Sequence, residues 1–166
     1  MRLFTGISVA QEAIPHFAEL RAAAHLKWTP AANLHITTKF IGEWPAEGLA
    51  ELQNALAAIP WPGNLTVTVS APEFLRGVLV AGISPNPGLS ALNNAIEAAL
   101  EPLGCARETR RYRPHTTLAR VGPREIAPLR ETIASMRADT ASFEATGFHL
   151  YLSRPGSLYT KLASYP

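Results

Sequence analysis

The 166-residue chain predicts an α+β fold in which antiparallel sheets line a central cleft and helices lie outside. Three observations carry this. Strand-like and helix-like segments alternate in a mixed order rich in hairpins, each half holds helices plus a His-x-Thr strand, and hydrophobic residues make up 47% against 17% charged. The length suits one domain over 1–166 built from two lobes that meet near 84–88, with room for the chain to cross between them.

Residues 2–9 alternate as a strand, and 11–25 read as a helix in which Pro15 fits the first turn better than the interior. Trp28-Thr29-Pro30 breaks the chain before a strand at 34–41. Leu49, Leu52 and Leu56 stand at helical spacing within 46–58, and Pro60 with Pro62-Gly63 ends that helix. Strands at 65–71 and 78–83 follow, and Pro85, Pro87 and Gly88 form a short connection. Leu89, Leu92, Ile96, Leu100 and Leu103 make one stripe of a helix at 89–103, stopped by Gly104. A strand at 106–112 precedes Pro114. The remaining elements are a strand at 115–121, a helix at 124–137 with Ile126, Leu129, Ile133 and Met136 inward, and strands at 143–152 and 157–164.

Composition excludes several classes. Cys105 is the single cysteine, so no disulfide or cysteine-based zinc site forms within the chain, and a reducing cytoplasm suits it. Ser8-Val9-Ala10 resembles a signal cleavage site, but the apolar stretch before it is too short, and no later run reaches membrane-spanning length. Neither a G-x-G-x-x-G turn nor a G-x-x-x-x-G-K-[ST] loop is present. The net charge of +2 is mild, yet Arg107, Arg110, Arg111, Arg113, Arg120 and Arg124 gather around the second motif.

The motifs are His35-Ile36-Thr37 and His115-Thr116-Thr117. In a strand, residues two apart share a face with roots about 6.5–7 Å apart, so each motif aims an imidazole and a hydroxyl at one object. Histidine moves protons near neutral pH, and a threonine hydroxyl donates to a phosphate oxygen. A bare tripeptide is weak evidence, since a single strand histidine is commonly a hydrogen-bonded core or edge residue. Two matched motifs, one per half, point to function.

The wider segments add specificity. Met1-Arg2-Leu3-Phe4, Trp28-x-Pro30-x-x-Asn33-Leu34-His35-x-Thr37-x-Lys39-Phe40-Ile41-Gly42, Arg113-Pro114-His115-x-Thr117-Leu118-Ala119-Arg120, and Leu152-Ser153 with Tyr159 resemble the two-histidine phosphoesterase superfamily, in particular the RNA 2′,3′-cyclic phosphodiesterases also called 2′-5′ RNA ligases. The resemblance spans nearly the whole chain. It implies two pseudo-symmetric lobes about a cleft, no metal and no cofactor, and opening of a terminal RNA 2′,3′-cyclic phosphate to a 2′-phosphate. It further implies that His115 is the base and His35 the acid, that Thr37 and Thr117 bind phosphate, that Arg120 contacts phosphate, and that Phe40 lies near the base. Exchange of the histidine roles in reverse would let such an enzyme join RNA ends. The expected partner is RNA with a cyclic phosphate end or a nucleoside cyclic phosphate, acted on by a monomer away from membranes.

Thr38 stands where the family usually has leucine, and alternation points it away from His35. The same alternation turns Phe40 and Arg120 away from their histidines, so each strand needs a bulge or an end to bring them round. Two alternatives remain in view. A non-catalytic RNA-binding module would use the arginines with Trp28, Phe40 and Tyr112 as stacking platforms, and a metal hydrolase would recruit His35, His115 and His149 without any ligand spacing to support it.

Overall fold

The computed structural model describes residues 1–10, 13, 17–23, 25–75, 77–135, 140–156 and 158–166. In chain order the elements are β1 (Arg2–Ser8), α1 (Ala18–Ala23), β2 (His35–Glu43), α2 (Leu49–Ala57), β3 (Leu65–Leu75), β4 (Val78–Ile83), α3 (Pro87–Leu100), β5 (His115–Arg120), α4 (Ile126–Ser135), β6 (Ala141–Ala145), β7 (Phe148–Arg154) and β8 (Leu158–Tyr165). The fold is α+β. Among the described residues the strands form one eight-stranded sheet, β6-β3-β4-β5-β2-β1-β7-β8, whose pairings are antiparallel.

The same run of strand, helix, strand, helix, strand occurs twice, from β1 to β3 and from β4 to β6, and the hairpin β7–β8 follows. β2 and β5, the two His-x-Thr strands, lie side by side at the middle of the sheet and touch at Ile36 and Thr116. The halves of the sheet are not the halves of the sequence. Residues 84–86 carry β4 into α3, whereas the chain crosses between sheet halves after α2 and again after β6.

The second crossing forces curvature. β6 and β7 stand six strand spacings apart in the order, roughly 29 Å in a flat sheet, yet Ala145 and Phe148 are three residues apart, a reach of about 11 Å. The sheet therefore curls. Gly147 serves this crossing: a Cβ there would meet the Tyr165 carbonyl oxygen at 2.1 Å. The predicted strand at 143–152 is thus two strands at opposite ends of the sheet order.

The predicted strand at 106–112 is absent, and residues 105–114 form an extended loop. Residues 107–111 are an unbroken polar run with no apolar alternation, and side chains instead of a neighbouring strand meet parts of the backbone. Lys39 Nζ donates to Ala106 O at 2.9 Å, and Arg110 N donates to Glu108 Oε1 at 3.1 Å. Of the expected helix at 11–25, Ala18–Ala23 is helical, while 11, 12, 14–16 and 24 lie outside the described residues, as do 136 and 137 of the expected helix at 124–137.

Helix α3 anchors the core. Asn86 caps it by accepting from Leu89 N at 3.1 Å, Pro87 occupies its first turn, and Leu89, Leu92, Ile96 and Leu100 are buried. Its stripe packs with Leu52 and Leu56 of α2 and with Ile36 of β2. Gly104, at φ 87°, ends the turn that follows α3.

Candidate active site

β2 and β5 begin with the same burial sequence: half-buried, buried, half-buried, buried, buried, exposed. Two buried residues in succession break strict alternation, and the ladders show why. On β2, Gly6 pairs with Thr37 and Thr5 with Lys39, leaving Thr38 extra. On β5, Val80 pairs with Thr117 and Leu79 with Ala119, leaving Leu118 extra. Each bulge resets the alternation, so Phe40 and Arg120 return to the side of the histidines.

His35, Thr37, Phe40, His115, Thr117 and Arg120 accordingly line one cleft of about 710 Å³. The antiparallel contact of Ile36 with Thr116 sets His35 across from Thr117 and Thr37 across from His115. Four polar side chains thus form a rectangle, with Phe40 beyond one end and Arg120 beyond the other. Phe40 is 70% exposed, which leaves a ring face open to a ligand.

Both histidines are held alike. Nδ1 of His35 lies 2.7 Å from Asn33 O, and Nδ1 of His115 lies 2.9 Å from Arg113 O. A carbonyl only accepts, so Nδ1 carries hydrogen and donates in each case. Nε2 is left as the nitrogen that takes or gives a proton.

Their surroundings differ. His35 is packed by Phe4 at 4.8 Å, Tyr159 at 5.0 Å and Tyr151 at 5.7 Å between ring centroids. Burial lowers its pKa below the ordinary histidine value, the hydrogen bond to Asn33 O opposes that, and the charge of His115 adds to the lowering. Gly6 stands beside this ring, where a Cβ would lie 3.5 Å from His35 Cδ2 and 2.9 Å from Ile36 O.

A family model described as the 2′-5′ RNA ligase superfamily matches residues 9–156. The chain belongs to that superfamily. Among its relatives is a Methanocaldococcus jannaschii protein named RNA 2′,3′-cyclic phosphodiesterase, 32% identical over 161 residues, with 92% of this chain and 91% of the relative covered. An Escherichia coli protein of the same name is 35% identical over 92 residues, which cover 54% of this chain and 52% of the relative. The structure of E. coli LigT complexed with 3′-AMP superposes with a TM-score of 0.71 at 26% identity, covering 98% of this chain and 95% of that one.

As a member of the superfamily, the chain shows cleft features that its sequence had not assigned. Arg2, Lys27 and Arg154 join Arg120 in the lining, and among the described residues no Asp or Glu lines it. Of the six arginines around the second motif only Arg120 is there. Arg107 pairs with Glu101 at 3.5 Å, Arg110 with Glu108 at 3.2 Å, and Arg113 with Glu73 at 2.8 Å. Tyr112 is half-buried and not among the lining residues of the cleft: its hydroxyl donates to Thr37 O at 3.1 Å, and burial pushes that phenol's pKa up.

Behind the site, Lys39 and Glu97 form an ion pair at 2.6 Å and are 5% and 6% exposed. A buried lysine inside a motif strand could have signalled a partner, but nothing local pointed to Glu97, 58 residues away. His149 stands apart from the cleft histidines, with Nδ1 2.9 Å from Ser164 Oγ. Among the described residues no group of three or more His, Cys, Asp or Glu is placed to hold a metal ion. No helix there is long and apolar enough to cross a membrane.

Proposed function

We propose that this chain is an RNA 2′,3′-cyclic phosphodiesterase that opens the cyclic phosphate to a 2′-phosphate without a metal, using its paired His-x-Thr motifs. One observation carries the reading: two neighbouring strands present the same His-x-Thr-bulge unit to one cation-lined cleft, each histidine with Nδ1–H held and Nε2 available. The relatives' names support the substrate class.

A strained cyclic phosphodiester needs an oriented water, a base, an acid and donors for the growing phosphoryl charge. His115 Nε2 takes a proton from water as its oxygen bonds to phosphorus. The bond from phosphorus to O3′ breaks, and O3′ takes the proton of His35 Nε2. Thr37 and Thr117 hydroxyls donate to the non-bridging oxygens, and the Arg120 guanidinium balances their charge. A 5′-hydroxyl in place of water gives a 2′-5′ linkage with His115 again as base and His35 as acid, so the exchange of histidine roles expected from the resemblance belongs to cleavage of that linkage and not to its formation. Phe40 offers its open face to the base. We place the whole chain in one two-lobed domain, acting as a cytoplasmic monomer.

The purified protein should turn over a nucleoside 2′,3′-cyclic phosphate, and an oligoribonucleotide ending in one, in the presence of EDTA, releasing only 2′-phosphate. Binding of the oligonucleotide without turnover would make the chain an RNA-binding module. Turnover restored only by added divalent ion would defeat metal independence.

A further inference from the structure

We propose that Arg2 and Arg154 form a subsite for the phosphodiester next upstream of the reacting end, making an RNA strand, not a mononucleotide, the preferred substrate. This rests on the function proposed above and extends it along the cleft. Arg2 opens β1 and Arg154 closes β7, neighbouring strands whose ladder pairs Leu3 with Leu152. One step further along that ladder sets Arg2 across from Ser153, one residue short of Arg154; alternation alone would part the two arginines, yet Arg154 ends its strand and both line the cleft.

Both arginines are exposed, both line the cleft, and neither has an ion pair or hydrogen bond among the described residues. Glu43 is the ladder partner of Arg2, but its carboxylate lies 3.5 Å from the N-terminal ammonium. The contrast is with Arg107, Arg110 and Arg113, which carry carboxylate partners outside the cleft. Two cations without partners at neighbouring strand ends of one cleft would each gain a charge-assisted contact from a shared phosphate.

Their place fits the next phosphate of a strand. The β1–β2 ladder sets Gly6 beside Thr37, Phe4 beside Phe40 and Arg2 beside Glu43. Passing out of the catalytic rectangle therefore means meeting Thr37, then Phe40, then Arg2. Arg2 begins four residues, about 13 Å, beyond the row of Thr37, less the length its side chain spans back. A nucleoside with its cyclic phosphate in the rectangle and its base on Phe40 carries its 5′ oxygen toward this end, where the following phosphate is the next anion.

The test compares Arg2→Gln/Arg154→Gln with the parent protein on two substrates, a nucleoside 2′,3′-cyclic phosphate and a trinucleotide ending in the same group. The ratio of kcat/KM for trinucleotide over mononucleotide should fall roughly 10–100-fold, and its dependence on log salt should flatten by about 0.7 for the one phosphate released. Arg154→Gln alone, at the exposed end of β7, should give part of that change with an unaltered thermal midpoint. An unchanged ratio, or an equal loss on both substrates, overturns the proposal. If the parent protein turned over neither substrate, the function above would fail. The same ratio, read from Kd values for the two 2′-phosphate products, would then decide the subsite.

Discussion

After Thr37, β2 continues with Thr38, Lys39 and Phe40; after Thr117, β5 continues with Leu118, Ala119 and Arg120, and the two backbones bulge at the same place. They are held in opposite ways. Behind β2 the contacts are polar: Thr38 Oγ1 donates to Thr5 Oγ1 at 2.7 Å, Lys39 meets Glu97 and Ala106 O, and Asn93 Nδ2 donates to Thr38 O at 2.7 Å. Behind β5, Leu118 and Ala119 enter the hydrophobic core, and Leu118 O receives Thr29 N at 2.8 Å. The shared feature is backbone geometry, which either kind of packing sustains. The cleft sides diverge as well, since His35 sits among three aromatic rings and Phe40 stands where the other strand has Arg120. One repeated unit thereby supplies two chemically different histidines.

The largest effects should come from removing either histidine. His35→Ala and His115→Ala should each lower kcat by roughly 10²–10⁴ with the fold intact, because acid and base act in one displacement. The double variant should lose little more than the worse single one. Steady-state kinetics with circular dichroism checks both statements.

Next in size is the polar support of β2. Lys39→Met leaves Glu97 buried and unpaired, which should cost about 3–5 kcal/mol in urea unfolding, while Lys39→Met/Glu97→Leu should recover most of it. On β5, Leu118→Ala should cost about 2–5 kcal/mol through a cavity, with no second change to rescue it. A Lys39→Met protein as stable as the parent would remove the distinction between the two supports.

Smaller losses are expected at the threonines, where the strands should behave alike. Thr37→Val and Thr117→Val keep the shape without the donor and should lower kcat by roughly 10–10³-fold, whereas serine should keep most activity. Equal rates for valine and serine would reduce both residues to strand formers.

The smallest effect is a pH shift at β2. As the acid, His35 must be protonated, and burial lowers its pKa, so kcat/KM should fall as pH rises through a value below the ordinary 6.5. Tyr159→Ser admits water beside the ring, weakens the desolvation and should move that limb upward. A limb that stays in place would separate the aromatic enclosure from the titration.

Much of this was legible in the sequence because strands declare themselves locally. The two motifs, the α3 stripe and the conflict between alternation and Phe40 or Arg120 all follow from spacing, and the bulges resolve that conflict at Thr38 and Leu118. What was hidden depends on partners distant in the chain. Lys39 needs Glu97, the curl of the sheet turns on Gly147 passing Tyr165, and the arginine run proved to lie outside the cleft apart from Arg120, three of its members paired with carboxylates, while Arg2 and Arg154 came into the cleft from other strands. The loop at 105–114 misled for a related reason, as its backbone is met by the side chains of Lys39 and Glu97, which no local pattern announces.

The division of labour between the two histidines is tested most directly with a nucleoside 2′,3′-cyclic phosphate whose bridging 3′ oxygen is replaced by sulfur. A thiolate leaves without a proton, so the substrate needs a base and no acid. His35→Ala should recover roughly 10²-fold or more of its lost rate on this substrate relative to the oxygen parent, while His115→Ala should remain as impaired as before. Recovery in His115→Ala instead, or equal impairment of both variants on both substrates, would contradict the assignment of His35 as acid and His115 as base.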